Sequence, residues 1–342
     1  MDATQTDKPV AKHVQNMLYA GTDDGVYRIA GVPDPGETTA EKGLDAEQVY
    51  RVESFDDIDG IFATSESGLY HSPDGDDWQR LPVPEEQVYA VTASPDGERV
   101  YAGTRPARLF VADWTAGVPT DSDDWREVEG FRALREQTDW GIPRHDGMAQ
   151  VRSLRTHPDA PDRIVAGVEV GGVHVSDDAG ETWQNRHIEG FDAPHTDDIH
   201  HVELEDSETF VATTGSGLYR STDAGRSWTR LDTAFSQRYF RQSFAHDGTV
   251  YAGAAPSSTA SWAEDDDHVL AVSRGGDVAE LADWPTPEAV AIGWTLVEGD
   301  VVAANHQGTL LRRTSDGWER VGSVPTPGEV RGRYMPLLWR EP

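Results

Sequence analysis

The chain is 342 residues long and carries 61 Asp+Glu against 29 Lys+Arg, a net charge of −32. It has no cysteine, which excludes disulfides and thiolate chemistry, and no basic stripe of the kind a nucleic-acid surface needs. No stretch approaches the ~20 apolar residues of a membrane helix, and residues 1–16 are polar with no signal-peptide run, so a cytoplasmic protein is expected.

From residue 17 onward one pattern repeats. A short apolar strand with a central alanine is followed by a turn and a second strand. Tyr19-Ala-Gly21 leads into Gly25-Val-Tyr-Arg28, and Phe62-Ala-Thr64 into Gly68-Leu-Tyr-His71. Tyr101-Ala-Gly103 leads into Arg108-Leu-Phe-Val111, Val165-Ala-Gly167 into Gly172-Val-His-Val175, and Val211-Ala-Thr213 into Gly217-Leu-Tyr-Arg220. In the sixth copy Tyr251-Ala-Gly253 meets its partner late, at Val269-Leu-Ala-Val272; Val302-Ala-Ala304 with Gly308-Thr-Leu-Leu311 is the seventh. The alanines lie 39 to 64 residues apart. Alternating apolar and small residues read as half-buried strands, and a period of about 40–50 residues reads as propeller blades.

Each unit has a further strand upstream of its alanine strand, as in Gln87-Val-Tyr-Ala-Val91, Gln150-Val-Arg-Ser-Leu154, His200-His-Val-Glu-Leu204 and Gly293-Trp-Thr-Leu296. These are expected to line a central channel. The first unit lacks one, and the C-terminal stretch 330–339 supplies it, joining the first blade and closing the ring. The expectation is an all-β, seven-bladed β-propeller of four-stranded antiparallel blades. A polar segment, 1–16, precedes one domain over 17–342. Long connections at 126–149 and 254–268 interrupt the repeat and are candidate functional loops.

An octet marks the turn after the second strand: Ser176-Asp-Asp-Ala-Gly-Glu-Thr-Trp183 and Ser221-Thr-Asp-Ala-Gly-Arg-Ser-Trp228. Ser176, Asp178, Ser221 and Asp223 can bond backbone N–H groups and hold a turn, Gly180 and Gly225 accept φ > 0, and Trp183 and Trp228 fold back over it. Ser72, Asp74 and Trp78 form a shorter copy. A catalytic group would not be repeated and degraded in this way, so these residues are structural. The octets resemble the Asp-boxes of bacterial neuraminidase repeats, and the resemblance implies a propeller. That family spans sialidases and other glycosidases, photosystem-assembly factors and sortilin-like receptors, so it implies no single function. A sialidase would carry an aromatic-Arg-Ile-Pro signature. Tyr27-Arg-Ile-Ala30 lacks the proline, and its Tyr-Arg matches Tyr219-Arg220 as an ordinary repeat position. The acid excess with only three lysines resembles proteins of salt-in halophilic archaea. Acidic runs such as Glu264-Asp-Asp-Asp267 then read as solvated surface, since none has the spacing of a calcium loop.

If the octets mark one face, the opposite face gathers loops rich in His, Arg and aromatics. Arg144, His145, Asp198, His200, Arg238, Tyr239, Arg241, Arg333 and Tyr334 enter innermost strands, and Arg105 and Glu169 follow alanine strands. Arg144, Arg238, Arg241 and Arg333 suit a carboxylate or phosphate; His145, His195, His200 and His201 suit metal ligation or acid–base work. Neighbours on a regular strand face opposite sides, so His200 rather than His201 is expected to point inward. No metal or cofactor is expected. The function expected is binding of a protein or a small anionic ligand at the channel mouth by a monomer. The alternative is a glycosidase-like hydrolase or lyase acting there on a sugar or anionic substrate.

Overall fold

The computed structural model describes residues 16–33, 38–141 and 146–341. The polar segment 1–15, together with Arg144 and His145, lies outside the described residues. Seven four-stranded antiparallel sheets stand around one axis. From the axis outward, blade two runs Val49–Phe55, Ile58–Ser65, Gly68–Ser72 and Gln79–Leu81, and blades three to seven repeat this order from Gln87, Gln150, Ile199, Tyr239 and Ala291. Blade one is composite: Leu337–Arg340 is innermost, followed by Met17–Thr22, Gly25–Ala30 and Thr39–Asp45. Leu337 pairs with Ala20 and Arg340 with Met17, and Gly21 N donates to the Pro336 carbonyl at 2.9 Å. The closing strand is therefore shorter than the stretch 330–339 expected from sequence. Pro336, which has no N–H, ends it.

The core is seven slabs, one between each pair of blades. The seven repeat alanines, Ala20, Ala63, Ala102, Ala166, Ala212, Ala252 and Ala303, are all fully buried. The residue after each is also small, because the next blade's innermost strand presses on it. A Cβ on Gly103 would lie 2.6 Å from Val151 Cγ1, and one on Gly253 would overlap the Ala291 carbonyl. Where that position is Thr, its hydroxyl bonds the next blade: Thr64 donates to the Tyr89 carbonyl (3.3 Å) and Thr213 to the Arg241 carbonyl (3.3 Å).

The octet turns lie at the ends of the third strands, opposite the channel entrance formed by the innermost strands' first residues. Ser176 Oγ donates to Asp178 (2.8 Å) and accepts from Gly180 N (2.8 Å), while Asp178 accepts from Thr182 N (2.8 Å). Ser221 and Asp223 repeat these bonds with Gly225 and Ser227. Two residues, not one, take positive φ: Ala179 and Gly180, and likewise Ala224 and Gly225. The Ala179 and Ala224 N–H groups donate to Asp162 and Glu208 carbonyls, which holds the strained alanines in place. Trp228 Nε1 donates to Arg186 of the preceding blade at 3.0 Å, so this octet also ties two blades together.

The long connection after blade three contains the helix Glu129–Glu136, which buries Phe131. Among the described residues no helix is long and apolar enough to cross a membrane.

Two substitutions test this packing. Gly253→Ala places a methyl against backbone that cannot yield, and should destabilise the fold by about 3 kcal/mol or more. Asp223→Ala removes bonds from the Ser221 hydroxyl and from the N–H and hydroxyl of Ser227 at a surface turn, and should cost about 1 kcal/mol. Chemical melts at fixed high salt measure both; equal losses would contradict the slab description.

Candidate functional site

The innermost strands are irregular at one recurring place. In blades two to seven the pairing to the alanine strand skips a residue, two in blade six, near the entrance: between Val49 and Arg51, Val88 and Ala90, Val151 and Ser153, Ile199 and His201, Phe240 and Ser243, and Ala291 and Gly293. The bulged positions are Tyr50, Tyr89, Arg152, His200 and Ile292, and in blade six Arg241 with Gln242. A β-bulge re-aims its extra residue and breaks the strict alternation of faces. Five of the six bulges carry a large polar side chain, and they meet at the channel mouth.

There Tyr50, Tyr89, Arg152 and Arg241 line a cavity of about 680 Å3, with His200 buried behind it. Among the described residues its wall includes Tyr50, Tyr89, Tyr239 and Tyr334, and carries Arg105, Arg152, Arg238, Arg241 and Arg331 against Glu66, Glu169 and Asp198. Five arginines facing three carboxylates is a local reversal of sign in a chain of net charge −32. Tyr50 stacks on Tyr89 (centroids 3.9 Å, 10° between planes), and Tyr334 meets Tyr50 edge-on at 4.9 Å. The guanidinium carbons of Arg241 and Arg152 lie 4.2 Å and 5.2 Å from the Tyr334 ring centre. Burial pushes the Tyr50 and Tyr89 phenols up, Tyr89 to about 12, so both are neutral donors.

The arginines differ in their commitments. Arg152 is buried and bonds Glu169, which also accepts from Gln150 at 2.6 Å. Burial works against the Arg152 charge, but Glu169, then Tyr334, hold its pKa above the ordinary value. Burial likewise opposes the Glu169 charge, and Arg152 outweighs it, so the carboxylate stays ionised. Arg238 is tied to the fully buried Asp232 at 3.1 Å and Arg105 to Gln87 at 2.5 Å. Arg241 is 9% exposed, and its Nη1 reaches the Tyr239 hydroxyl at a long 3.4 Å. Its Nη2 is buried without a hydrogen-bond partner among the described residues.

Of the sequence-proposed residues, Arg105, Glu169, Asp198, Arg238, Tyr239, Arg241 and Tyr334 line this cavity, as does His195. Arg333 does not. It donates to Asp23 at 2.9 Å and to the carbonyls of His306, Pro327 and Gly328, clamping the C-terminal segment. His200 and His201 are both buried and neither lines the cavity; the bulge at His200 interrupts the alternation of faces on which the choice between them rests. His200 Nδ1 lies 2.5 Å from the Phe240 carbonyl and must carry the proton there, since a carbonyl only accepts. Its Nε2 then faces Asp198 at 3.6 Å. Burial, then Arg152, lowers the His200 pKa. Glu169, Asp198 and His200 bring one ligand atom each within 4.8 Å of one another and are the described residues that could hold a metal. Arg152 already sits on Glu169, and its positive charge opposes a cation there.

Below the cavity, Arg51 crosses the axis and donates to the carbonyls of Arg152 (3.2 Å) and His200 (3.3 Å), two and three blades away from its own. It separates the upper cavity from a second one of about 410 Å3 on the octet face. There Arg155 joins His201 (2.6 Å), Glu53 (3.4 Å) and Glu203 (3.9 Å).

Sequence reasoning missed Tyr50, Tyr89, Arg51 and Arg152. The signal was present: Gln48-Val-Tyr, Gln87-Val-Tyr and Gln150-Val-Arg place each bulged residue third in one motif.

No family model and no curated protein sequence matches the chain. Solved structures do. An ancestral GH74 enzyme aligns at 15% identity and TM-score 0.58, over 82% of this chain and 39% of that one. The GH74 xyloglucanase of Xanthomonas campestris aligns at 14% and 0.57, over 86% and 46%. YCF48 bound to D1 peptide aligns at 15% and 0.53, over 80% and 81%. The likeness is one of fold alone. The chain spans less than half the length of either GH74 protein.

Glu203 offers a direct test of channel electrostatics. Burial lifts its carboxyl to about 7, with Arg155 and the Ala245 N–H opposing and Glu53 adding to the rise. A carboxyl raised in the folded state contributes stability below its unfolded pKa and loses it as pH climbs through the folded one. Glu203→Gln should therefore be near-neutral at pH 4 and stabilising by about 2–3 kcal/mol at pH 8, read from paired chemical melts. Equal effects at both pH values would contradict this environment.

Proposed function

We propose that this chain is a binding propeller that captures a small anionic ligand, a carboxylate or phosphate, at the channel mouth, with Arg241 as its anchor. The observation that carries this is Arg241 itself. A buried guanidinium donor without a partner costs free energy, and 61 acidic residues were available to satisfy it. The surplus of arginine over carboxylate in the cavity wall supports the same ligand charge. Tyr50, Tyr89 and Tyr334 offer hydroxyls and ring faces beside it. A cavity of about 680 Å3 suits a small molecule.

The second reading, a glycosidase-like hydrolase or lyase at the same mouth, is favoured by Glu169, Asp198 and His200, which set two carboxylates beside an imidazole under the cavity. The GH74 likenesses agree with it and the YCF48 likeness with binding; at this identity neither transfers a function.

The octets fit the Asp-box resemblance as turn clasps. A monomer, without nucleic-acid or membrane contacts, in the high-salt cytoplasm of a halophile completes the proposal. At net −32 self-repulsion is severe in dilute buffer and screened at 1 M salt, where the Debye length is about 3 Å. The melting temperature should fall by about 10 °C or more on dialysis from molar KCl to dilute buffer; an unchanged melt would remove the halophilic reading.

Ligand capture is tested by a thermal-shift screen of carboxylates and phosphates in molar KCl. At least one should raise the melting temperature, and Arg241→Gln should weaken it about 100-fold while leaving the unliganded melt intact. No shift from any anion, or a shift that survives Arg241→Gln, would overturn the site. Turnover of an anionic saccharide would favour the second reading.

A further inference from the structure

Blade six interrupts its repeat between Thr249–Ala255 and Val269–Ser273, and the intervening segment folds over the channel mouth. Pro256 to Ala260 form part of the cavity wall. Behind them Trp262 is fully buried, its Nε1 donating to the Ser257 carbonyl at 3.2 Å. The indole inserts among three rings: His306 at 5.3 Å, Tyr239 at 6.1 Å and His268 at 6.4 Å. The last two histidines lie 5.6 Å apart, edge to face, and both are buried. His306 Nδ1 accepts from Val290 N at 3.1 Å, so its proton sits on Nε2. That Nε2, and both ring nitrogens of His268, make no hydrogen bond of good geometry among the described residues. Two imidazoles whose polar atoms are sealed from water form a base that is stable only while uncharged.

We propose that residues 256–268 are a pH-released lid over the channel-mouth cavity, latched by Trp262 on the His268–His306 pair. The groups facing the pair are few. Asp265, Asp266 and Asp267, on the lid itself, favour a charged His268, as does the Trp262 backbone; Arg333, from the C-terminal segment, and His268 disfavour a charged His306. Burial is the largest influence on both, lowering His268 and taking His306 to about 4. With the lid open both rings meet water and return towards about 6.5. A histidine depressed in the closed state leaves closure fully stable above its open-state pKa, and stability is lost as pH falls towards the closed-state value. The window is therefore pH 6.5 down to about 4. Opening withdraws Trp262 from Tyr239 and Pro256 from the wall. The lid's control of binding rests on the anion-site reading; its opening does not.

Hydrogen exchange by mass spectrometry in molar KCl, with no ligand added, reads the lid alone. Between pH 7.5 and 4.5, after correction for intrinsic rates, protection of residues 256–268 should fall at least ~30-fold while the blade strands hold. In His268→Phe, whose ring fills the same space without nitrogens and which keeps only His306, the fall should shrink at least about threefold relative to wild type. His306→Gln should shrink it likewise, and melts at pH 7.5 establish that both variants are folded. Protection that does not fall in the wild type, or falls equally in both folded variants, would overturn the latch. If the latch stands and no anion binds, only the anion site fails.

Discussion

One bulge, repeated six times, organises the channel mouth. Regular innermost strands would send alternate side chains inward, and the small residues following the repeat alanines leave no room for them against the next blade. Skipping one residue at each entrance, two in blade six, lets a large side chain turn into the axis while the slabs below stay tightly packed. Tyr50, Tyr89, Arg152, His200 and Arg241 all arrive this way. Thr64 and Thr213 bond the carbonyls of Tyr89 and Arg241 in the following blade, so bulge geometry and blade packing are one constraint. The candidate site is a consequence of how the ring closes, more than of any one loop.

What fills the axis follows from the same crowding. Arg51 is fully enclosed, and burial, then Arg155, lower its pKa to about 9. It satisfies its charge largely with backbone carbonyls from three blades rather than with a carboxylate. Two compartments result. The lower pairs its cation with Glu53 and Glu203; the upper holds Arg241, whose Nη2 is unmatched. The unmatched Arg241 Nη2, beside a wall richer in arginine than in carboxylate, is what the proposed anion site rests on.

Much of the fold was legible because repetition is a strong signal. The seven alanines, the octets and the C-terminal closing strand each correspond to a structural position. Closure proved shorter, since Pro336 stops the ladder. The octets also seat two residues at positive φ, one of them an alanine, which Ala179 and Ala224 could not announce by type. The site was legible in part: Arg105, Glu169, Asp198, Arg238, Tyr239, Arg241 and Tyr334 line the cavity, while the bulged residues Tyr50, Tyr89 and Arg152 were not singled out. Period-2 reasoning ranked His200 against His201, and a bulge invalidates that period at that place. Arg333 carried the residue type of a ligand anchor and is a clamp, because Asp23 and three carbonyls converge on it from segments distant in sequence. Tyr89 and Arg152 lay in strands expected to line the channel and Tyr50 in an equivalent one, but alternation alone does not single them out; only the alignment of Gln-Val-x across blades marks them.

The most direct test of the anion site is a crystal structure of protein purified in molar KCl without added ligand. Non-protein density within hydrogen-bond distance of Arg241 Nη2, over the Tyr334 ring, is expected. Arg241 bonded instead to a carboxylate of its own chain, with ordered water alone in the cavity, would contradict it.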